Sequence, residues 1–157
     1  MKIKLLVIGK TDDKSLQSLM QLYQKRIKTF VGFDFEVLPD IKNTKNLSES
    51  QQKNKEGELL LAKLNTSDYV VLLDEKGKEF TSVQFADFLQ KQMNSGIKNL
   101  IFIIGGPYGF SEAVYKRANR KIALSQMTFS HQLVRLIFLE QLYRGFAIIN
   151  HHPYHHE

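Results

Sequence analysis

NLIFIIGG, residues 99–106, is the stretch that decides the fold, because it is an apolar run that ends in two glycines. Its apolar residues follow one another without polar alternation, which is typical of parallel strands covered on both faces. YVVLL at 69–73 has the same character, and KIKLLVIG at 2–9 is a third apolar run closed by a glycine. The three runs predict buried strands of a parallel sheet.

The segments between these runs alternate in type. Apolar residues at helical spacing predict a helix over 13–30, and the capping-box pair Thr81 and Gln84 begins another that extends to about Asn94. The remaining predictions are strands at 33–39 and 121–125, a turn at DEKGK (74–78), and helices at 58–64, 111–118 and 130–148. The order predicts an α/β fold, a mostly parallel sheet with helices on both faces, in a single domain over residues 1–157.

One polar stretch, residues 40–57, contains no apolar anchors and many basic and amide side chains. This composition predicts a mobile loop. Two interpretations stay open for it: a solvated connection, which we favour, and an arm that contacts RNA.

Composition limits the classes of protein that the chain can belong to. A chain with 43% hydrophobic and 24% charged residues is typical of a soluble globular domain, and the absence of cysteine excludes disulfides and zinc-thiolate sites. We expect a cytoplasmic protein, since no signal peptide or membrane span is predicted. The net charge of +6 is spread over both halves, which fits either an ordinary surface or a polyanionic partner such as nucleic acid.

The last predicted helix, HQLVRLIFLEQLYRGFAII, has apolar residues around nearly its whole circumference. Such a helix is buried on all sides, whereas an outer helix of a small domain covers its sheet with only one side. The pattern favours a homodimer over a central core helix, and two-fold dimers are the commonest closed oligomers.

The candidate functional residues lie at three strand ends and in the C-terminal tail. Ligands of parallel α/β sheets bind at the carboxyl ends of strands, which predicts a site near Leu73, Gly105 and residues 124–127. No hydrolase or metalloprotease motif is present. Arg144 either caps the last helix or faces a substrate anion, and the histidine-rich tail NHHPYHHE (150–157) is interrupted by Pro153 and Tyr154, unlike an affinity tag.

Three segments together carry a family resemblance: LLDEKGKEF at 72–80, IFIIGGPYGF at 101–110 and ALSQMTFSHQLVRLIFLEQLYRGFAIINHHPYH at 123–155. They resemble the RlmH family, the SPOUT-class methyltransferases of bacterial large-subunit ribosomal RNA, over essentially the whole chain. The resemblance implies a SPOUT-type sheet with a C-terminal trefoil knot, a homodimer, and S-adenosylmethionine as methyl donor. It also implies cofactor contacts from Leu73, Gly105, Leu124, Ser125, Gln126, Met127, Thr128 and Phe129, and no metal.

The implied reaction is methylation at N3 of a pseudouridine in 23S rRNA, on the assembled ribosome. The acceptor imide must lose a proton, so we expect Arg144 to hold an anion bidentately and Tyr154 and His155 to contact the base or relay the proton. Tyr154 as a tail anchor is the alternative. Two other functions stay open: a non-catalytic ribosome-binding or assembly factor, and a SPOUT methyltransferase of tRNA ribose. The chain departs from the family pattern at Ser130 and His156, where proline and a basic residue are common.

Overall fold

Five parallel strands form one sheet in the order β2-β1-β4-β3-β5 in the computed structural model, which describes residues 1–156. The elements in chain order are β1 Lys2–Ile8, α1 Lys14–Ile27, β2 Gly32–Leu38, a 3-10 turn Thr44–Asn46, α2 Glu49–Ala62, β3 Tyr69–Glu79, α3 Ser82–Asn94, β4 Asn99–Ile104, α4 Glu112–Arg117, β5 Arg120–Ala123 and α5 Leu133–Ile149. The α/β prediction is confirmed.

The central strands β1 and β4 are mostly apolar, and they bury side chains on both faces of the sheet. Along β1, Leu5 and Val7 point into one core while Leu6 and Ile8 point into the other. The neighbouring strand β4 divides its side chains in the same way, as the twofold side-chain period of a strand requires.

Helices cover both faces of the sheet, as predicted. Helices α1, α3 and α5 supply the larger core on one face, where Phe102 of β4 lies 4.8 Å from Phe138 of α5 between ring centroids. Helices α2 and α4 cover the other face through Leu60 and Val114. Because the five strands are parallel, the loops that follow them leave the sheet at the same edge.

The mobile loop predicted over 40–57 is wrong from residue 49 onward, because α2 begins at Glu49. Ser48 accepts a hydrogen bond from the Gln51 amide at 3.1 Å, and the Gln51 side chain accepts one from the Ser48 amide at 2.9 Å. This capping box starts a helix whose first seven residues carry no buried side chain, so hydrophobic periodicity gave no signal there.

The turn predicted at DEKGK is also wrong, since β3 continues through it to Glu79. Leu73 and Lys78 both pair with Ile122 of β5, so the residues between them bulge out of the ladder. Gly77 permits this, because a Cβ there would lie 2.6 Å from the Ile122 nitrogen.

Helix α5 is only partly covered within one chain. Phe138, Leu139, Leu142 and Phe146 are buried, whereas Leu133 is 41% exposed and Leu136 and Ile137 are half-buried. The dimer and the trefoil knot stay predictions. In the part of the chain that the structure describes, no helix is long and apolar enough to cross a membrane.

Candidate active site

A cavity of about 640 Å³ opens at the carboxyl ends of β3, β4 and β5. This volume lies within the range of small-molecule sites. The apolar wall comes from the strand ends, and the loops that follow them close the sides. Its lining includes Leu73, Asp74, Glu75, Lys76, Ile104, Gly105, Gly106, Pro107, Tyr108, Leu124, Ser125, Met127, Thr128, Phe129 and His131.

The glycine turn, residues 105–110, forms one side of the cavity. The Gly109 amide donates a hydrogen bond to the Gly106 carbonyl at 3.2 Å, and Gly109 takes a φ of +80°, which favours glycine. Phe110 is buried beneath the turn, 3.0 Å from the position that a Cβ on Gly105 would take. Tyr108 at the tip is 43% exposed.

The loop after β5, residues 124–129, forms the opposite side. The Ser125 hydroxyl accepts a hydrogen bond from the Met127 amide at 3.0 Å, which tightens the loop and leaves Met127 77% exposed. Seven of the eight residues expected to contact the cofactor line the cavity, and Gln126 does not. The loops expected to hold the cofactor therefore line this cavity, and their contact with a cofactor stays a prediction.

The cavity carries more negative than positive charge. Three carboxylates line it, from Glu49, Asp74 and Glu75, against the single Lys76 among the described lining residues. Asp74 accepts a hydrogen bond from the Tyr115 hydroxyl and another from the Lys76 amide at 2.9 Å. Burial, followed by the bond to Asp74, raises the pKa of Tyr115, so this phenol stays protonated and keeps Asp74 in place. Such a lining favours a cationic ligand.

Glu56 lies behind the glycine turn and was missed in the sequence. Its side chain is 3% exposed, and a Cβ on Gly106 would lie 2.5 Å from its Oε2. Among the described residues its Oε1 has no hydrogen-bond partner, and burial raises the pKa of the carboxyl. Glu56 and the buried Leu60 are four residues apart on α2, so they lie on the same face of the helix. The capping box at Ser48 was the signal that could have extended the predicted helix back over Glu56 and placed this carboxylate on its buried face.

Arg135 is a second buried charge that sequence reasoning missed. It is 2% exposed and donates hydrogen bonds to the carbonyls of Ile8 at 2.7 Å and Gly9 at 2.8 Å, and to the Thr11 hydroxyl at 3.1 Å. Desolvation lowers the pKa of the guanidinium, but its ordinary value is so high that it stays charged. An arginine inside an apolar helix was the available signal.

A tail cluster forms from Tyr23, Glu140, Arg144, Tyr154 and His155. Glu140 Oε1 accepts from Arg144 Nη2 at 2.7 Å and from the Tyr154 hydroxyl at 2.9 Å, and the Tyr23 and Tyr154 hydroxyls lie 3.2 Å apart. Arg144 Nη1 lies 3.0 Å from His155 Nδ1, and the guanidinium carbon is 4.8 Å from the centre of the Tyr154 ring. The three residues expected to be catalytic are therefore brought together.

The hydrogen bonds indicate which atoms carry a proton in two members of the cluster, His155 and Tyr154. Arginine only donates, so His155 Nδ1 accepts, and a neutral ring carries its proton on Nε2. Burial, with the bonds to Tyr23 and Glu140, raises the pKa of Tyr154. Tyr154 thus stays a protonated donor that pins the tail to α1 and α5.

The tail cluster lies away from the cavity of its own chain. Val134, near the start of α5, lines the cavity, and Arg144 is ten residues further along the helix. At a rise of 1.5 Å per residue this is about 15 Å along the axis. The structure brings together seven of the eight residues expected to contact the cofactor in one place, and the tail residues in another.

The chain is similar to known proteins over its full length. A family model described as "Predicted SPOUT methyltransferase" matches residues 1–155. The ribosomal RNA large subunit methyltransferase H of Flavobacterium johnsoniae is 64% identical over 157 residues, all of both chains. Proteins of the same name from Parabacteroides distasonis and Phocaeicola vulgatus are 60% and 57% identical over the same full lengths. The chain therefore belongs to the ribosomal RNA large subunit methyltransferase H family of SPOUT methyltransferases.

Among the described residues, the tail histidines form no metal site. Within residues 1–156, no group of three or more histidine, aspartate or glutamate side chains is placed to hold a metal ion. His152 instead packs edge-on against Phe30 and Tyr143, at 6.3 and 6.4 Å between ring centroids.

Proposed function

We propose that this protein transfers a methyl group from S-adenosylmethionine to large-subunit ribosomal RNA. The observation that carries the proposal is the cavity at the ends of β3, β4 and β5, which is lined by the loops that hold the family motifs. Relatives named ribosomal RNA large subunit methyltransferase H match the whole chain, which supports the same substrate class.

The residues present fit this donor. When bound, S-adenosylmethionine supplies an activated methyl group on a positively charged sulfur. The carboxylates of Glu49, Asp74 and Glu75 give the cavity the charge that suits a cation. Leu73 and Leu124 provide apolar walls, and Gly105 allows the ligand close to the backbone.

We further propose a homodimer in which the tail cluster of one subunit completes the cavity of its partner. Two features support this: the tail cluster lies about 15 Å along α5 from its own cavity, and α5 leaves Leu133 exposed. A tail that reaches the partner would place Arg144 and His155 beside the reacting base. The enzyme would then be active only as a dimer.

The finer proposal is that the acceptor is N3 of a pseudouridine. An imide nitrogen must lose its proton before or during methyl transfer, so the site needs a proton acceptor and a cation near the developing anion. His155 Nδ1 now accepts from Arg144. An entering imide N–H replaces Arg144 as the donor to Nδ1, and the guanidinium then pairs with the imide anion.

Tyr154 has a different role in this proposal. A phenol whose pKa is raised and whose hydroxyl contacts Glu140 and Tyr23 is a poor base. Tyr154 therefore anchors the tail, and His155 takes the proton.

Transfer of labelled methyl groups from S-adenosylmethionine to ribosomes from a strain without the modification tests the proposal. We expect label in the RNA of the large subunit, and much less with deproteinised RNA. Binding of S-adenosylmethionine without any transfer to ribosomes would contradict the assignment as an enzyme and leave a ribosome-binding factor.

A further inference from the structure

Tyr108 is an aromatic side chain that lines the cavity and is nevertheless exposed. It is 43% exposed at the tip of the glycine turn, next to the buried residues Ile104 and Phe110 of the same cavity wall. Pro107 before it has a fixed φ, and the hydrogen bond between Gly109 and Gly106 closes the turn around it. The ring is therefore carried on a tightly closed turn.

The position of the ring argues for a contact with the RNA substrate and against one with the methyl donor. The strand-end residues of the cavity, such as Leu73 and Ile104, are half-buried or buried, so a donor held against them does not require a contact with the exposed tip of the turn. A nucleotide that enters from the solvent passes the exposed rim first. Aromatic side chains at such rims stack on unpaired bases of RNA.

The charge of the cavity decides which part of a nucleotide enters. Glu49, Asp74 and Glu75 outnumber Lys76 among the described lining residues, and their charges repel a phosphate. An uncharged base is not repelled by these carboxylates, so it can stack on an aromatic ring beside them. The base, and not the sugar-phosphate backbone, therefore fits this entrance.

We propose that Tyr108 is the stacking platform for the target base, or for the base next to it, in the ribosomal RNA; this inference rests on the function proposed above. Stacking uses the face of the ring, so the hydroxyl of Tyr108 is dispensable. Tyr108 then sets the affinity for the RNA substrate and leaves the affinity for S-adenosylmethionine unchanged.

The test compares Tyr108→Ala with Tyr108→Phe and with the matched control Leu19→Ala, which shortens an apolar side chain of similar exposure on α1. Loss of one stacked base corresponds to about 1–3 kcal/mol. We expect Tyr108→Ala to weaken ribosome binding and raise KM for ribosomes roughly 5-fold to 150-fold. Tyr108→Phe and Leu19→Ala stay within about twofold of the wild type. The salt dependence of ribosome binding stays unchanged in Tyr108→Ala, because no phosphate contact is lost.

Three outcomes would overturn the inference: unchanged ribosome affinity in Tyr108→Ala, weakened binding of S-adenosylmethionine in calorimetry, or a dimer that dissociates in the variant. Ribosome binding is measured by co-sedimentation without methyl transfer. A wild type that binds ribosomes but transfers no methyl group would therefore contradict the proposed function alone, and the comparison of binding would still decide the role of Tyr108.

Discussion

Glu140 organises the tail through a single oxygen atom. Its Oε1 accepts hydrogen bonds from Arg144 Nε at 3.1 Å, from Arg144 Nη2 at 2.7 Å and from the Tyr154 hydroxyl at 2.9 Å. These bonds hold Arg144 in one orientation while its Nη1 faces His155. The carboxylate also raises the pKa of Arg144, so the guanidinium is a permanent cation at the site.

Replacing Arg144 by alanine should lower turnover about 100-fold, the usual effect of removing one donor to a developing anion. The dissociation constant of S-adenosylmethionine should change less than twofold, because Arg144 does not line the cavity of its own chain and, in the proposed dimer, faces the reacting base and not the donor. Lys25→Ala, which removes an exposed cation from α1, is the control and should keep full turnover. Normal turnover in Arg144→Ala would remove this residue from the catalytic group.

Arg135 should matter for folding and not for chemistry. Arg135→Met leaves the carbonyls of Ile8 and Gly9 without their buried donor, and hydrogen bonds to a charged group contribute about 1.5–3 kcal/mol each. We expect the free energy of unfolding in urea to fall by about 3 kcal/mol. Lys25→Met, at an exposed position, should change it by less than about 0.5 kcal/mol. Equal stability of the two variants would contradict this role.

At the scale of elements, the glycine turn depends on helix α2 behind it. Gly106→Ala brings a methyl group to 2.5 Å from the Glu56 carboxylate, so either the turn or the side chain must move. Glu56 is buried and has little room, so the turn shifts and binding of S-adenosylmethionine should weaken about 10-fold in calorimetry. Gly32→Ala is the control, because its methyl group meets only Lys2 Cγ at 3.7 Å. Unchanged affinity in Gly106→Ala would show that the turn does not touch the donor.

The sequence predicted the strands and the cavity loops well because both have local causes. Apolar runs such as NLIFIIGG can be buried only in a covered sheet, and parallel strands bring their carboxyl ends together. The last turns of α2 were predicted as the helix at 58–64, but its first turns were missed because they bury nothing, so the only local signal there was the capping box at Ser48. The continuation of β3 was missed because the close approach of Gly77 to β5 is a tertiary contact. The positions of Glu56 and Arg135 depend on tertiary contacts in the same way.

At the scale of the whole molecule, the separation of cavity and tail cluster makes the oligomeric state the main question. Leu133 on α5 and Leu22 on α1 are both 41% exposed. Replacing either leucine by a charged residue should therefore lower the stability of an isolated chain by a similar amount. If α5 forms the dimer interface, Leu133→Glu should dissociate the dimer at micromolar concentration, and Leu22→Glu should not. Sedimentation that shows an 18.2 kDa species for the wild type would contradict the dimer.

The identity of the methylated nucleoside is the most direct test of the central claim. Ribosomes lacking the modification are incubated with the protein and labelled S-adenosylmethionine, and their RNA is digested to nucleosides and analysed by mass spectrometry. We expect the label in a pseudouridine methylated at N3, from large-subunit RNA only. A label on a ribose 2′-hydroxyl, or in transfer RNA, would contradict the proposed site chemistry.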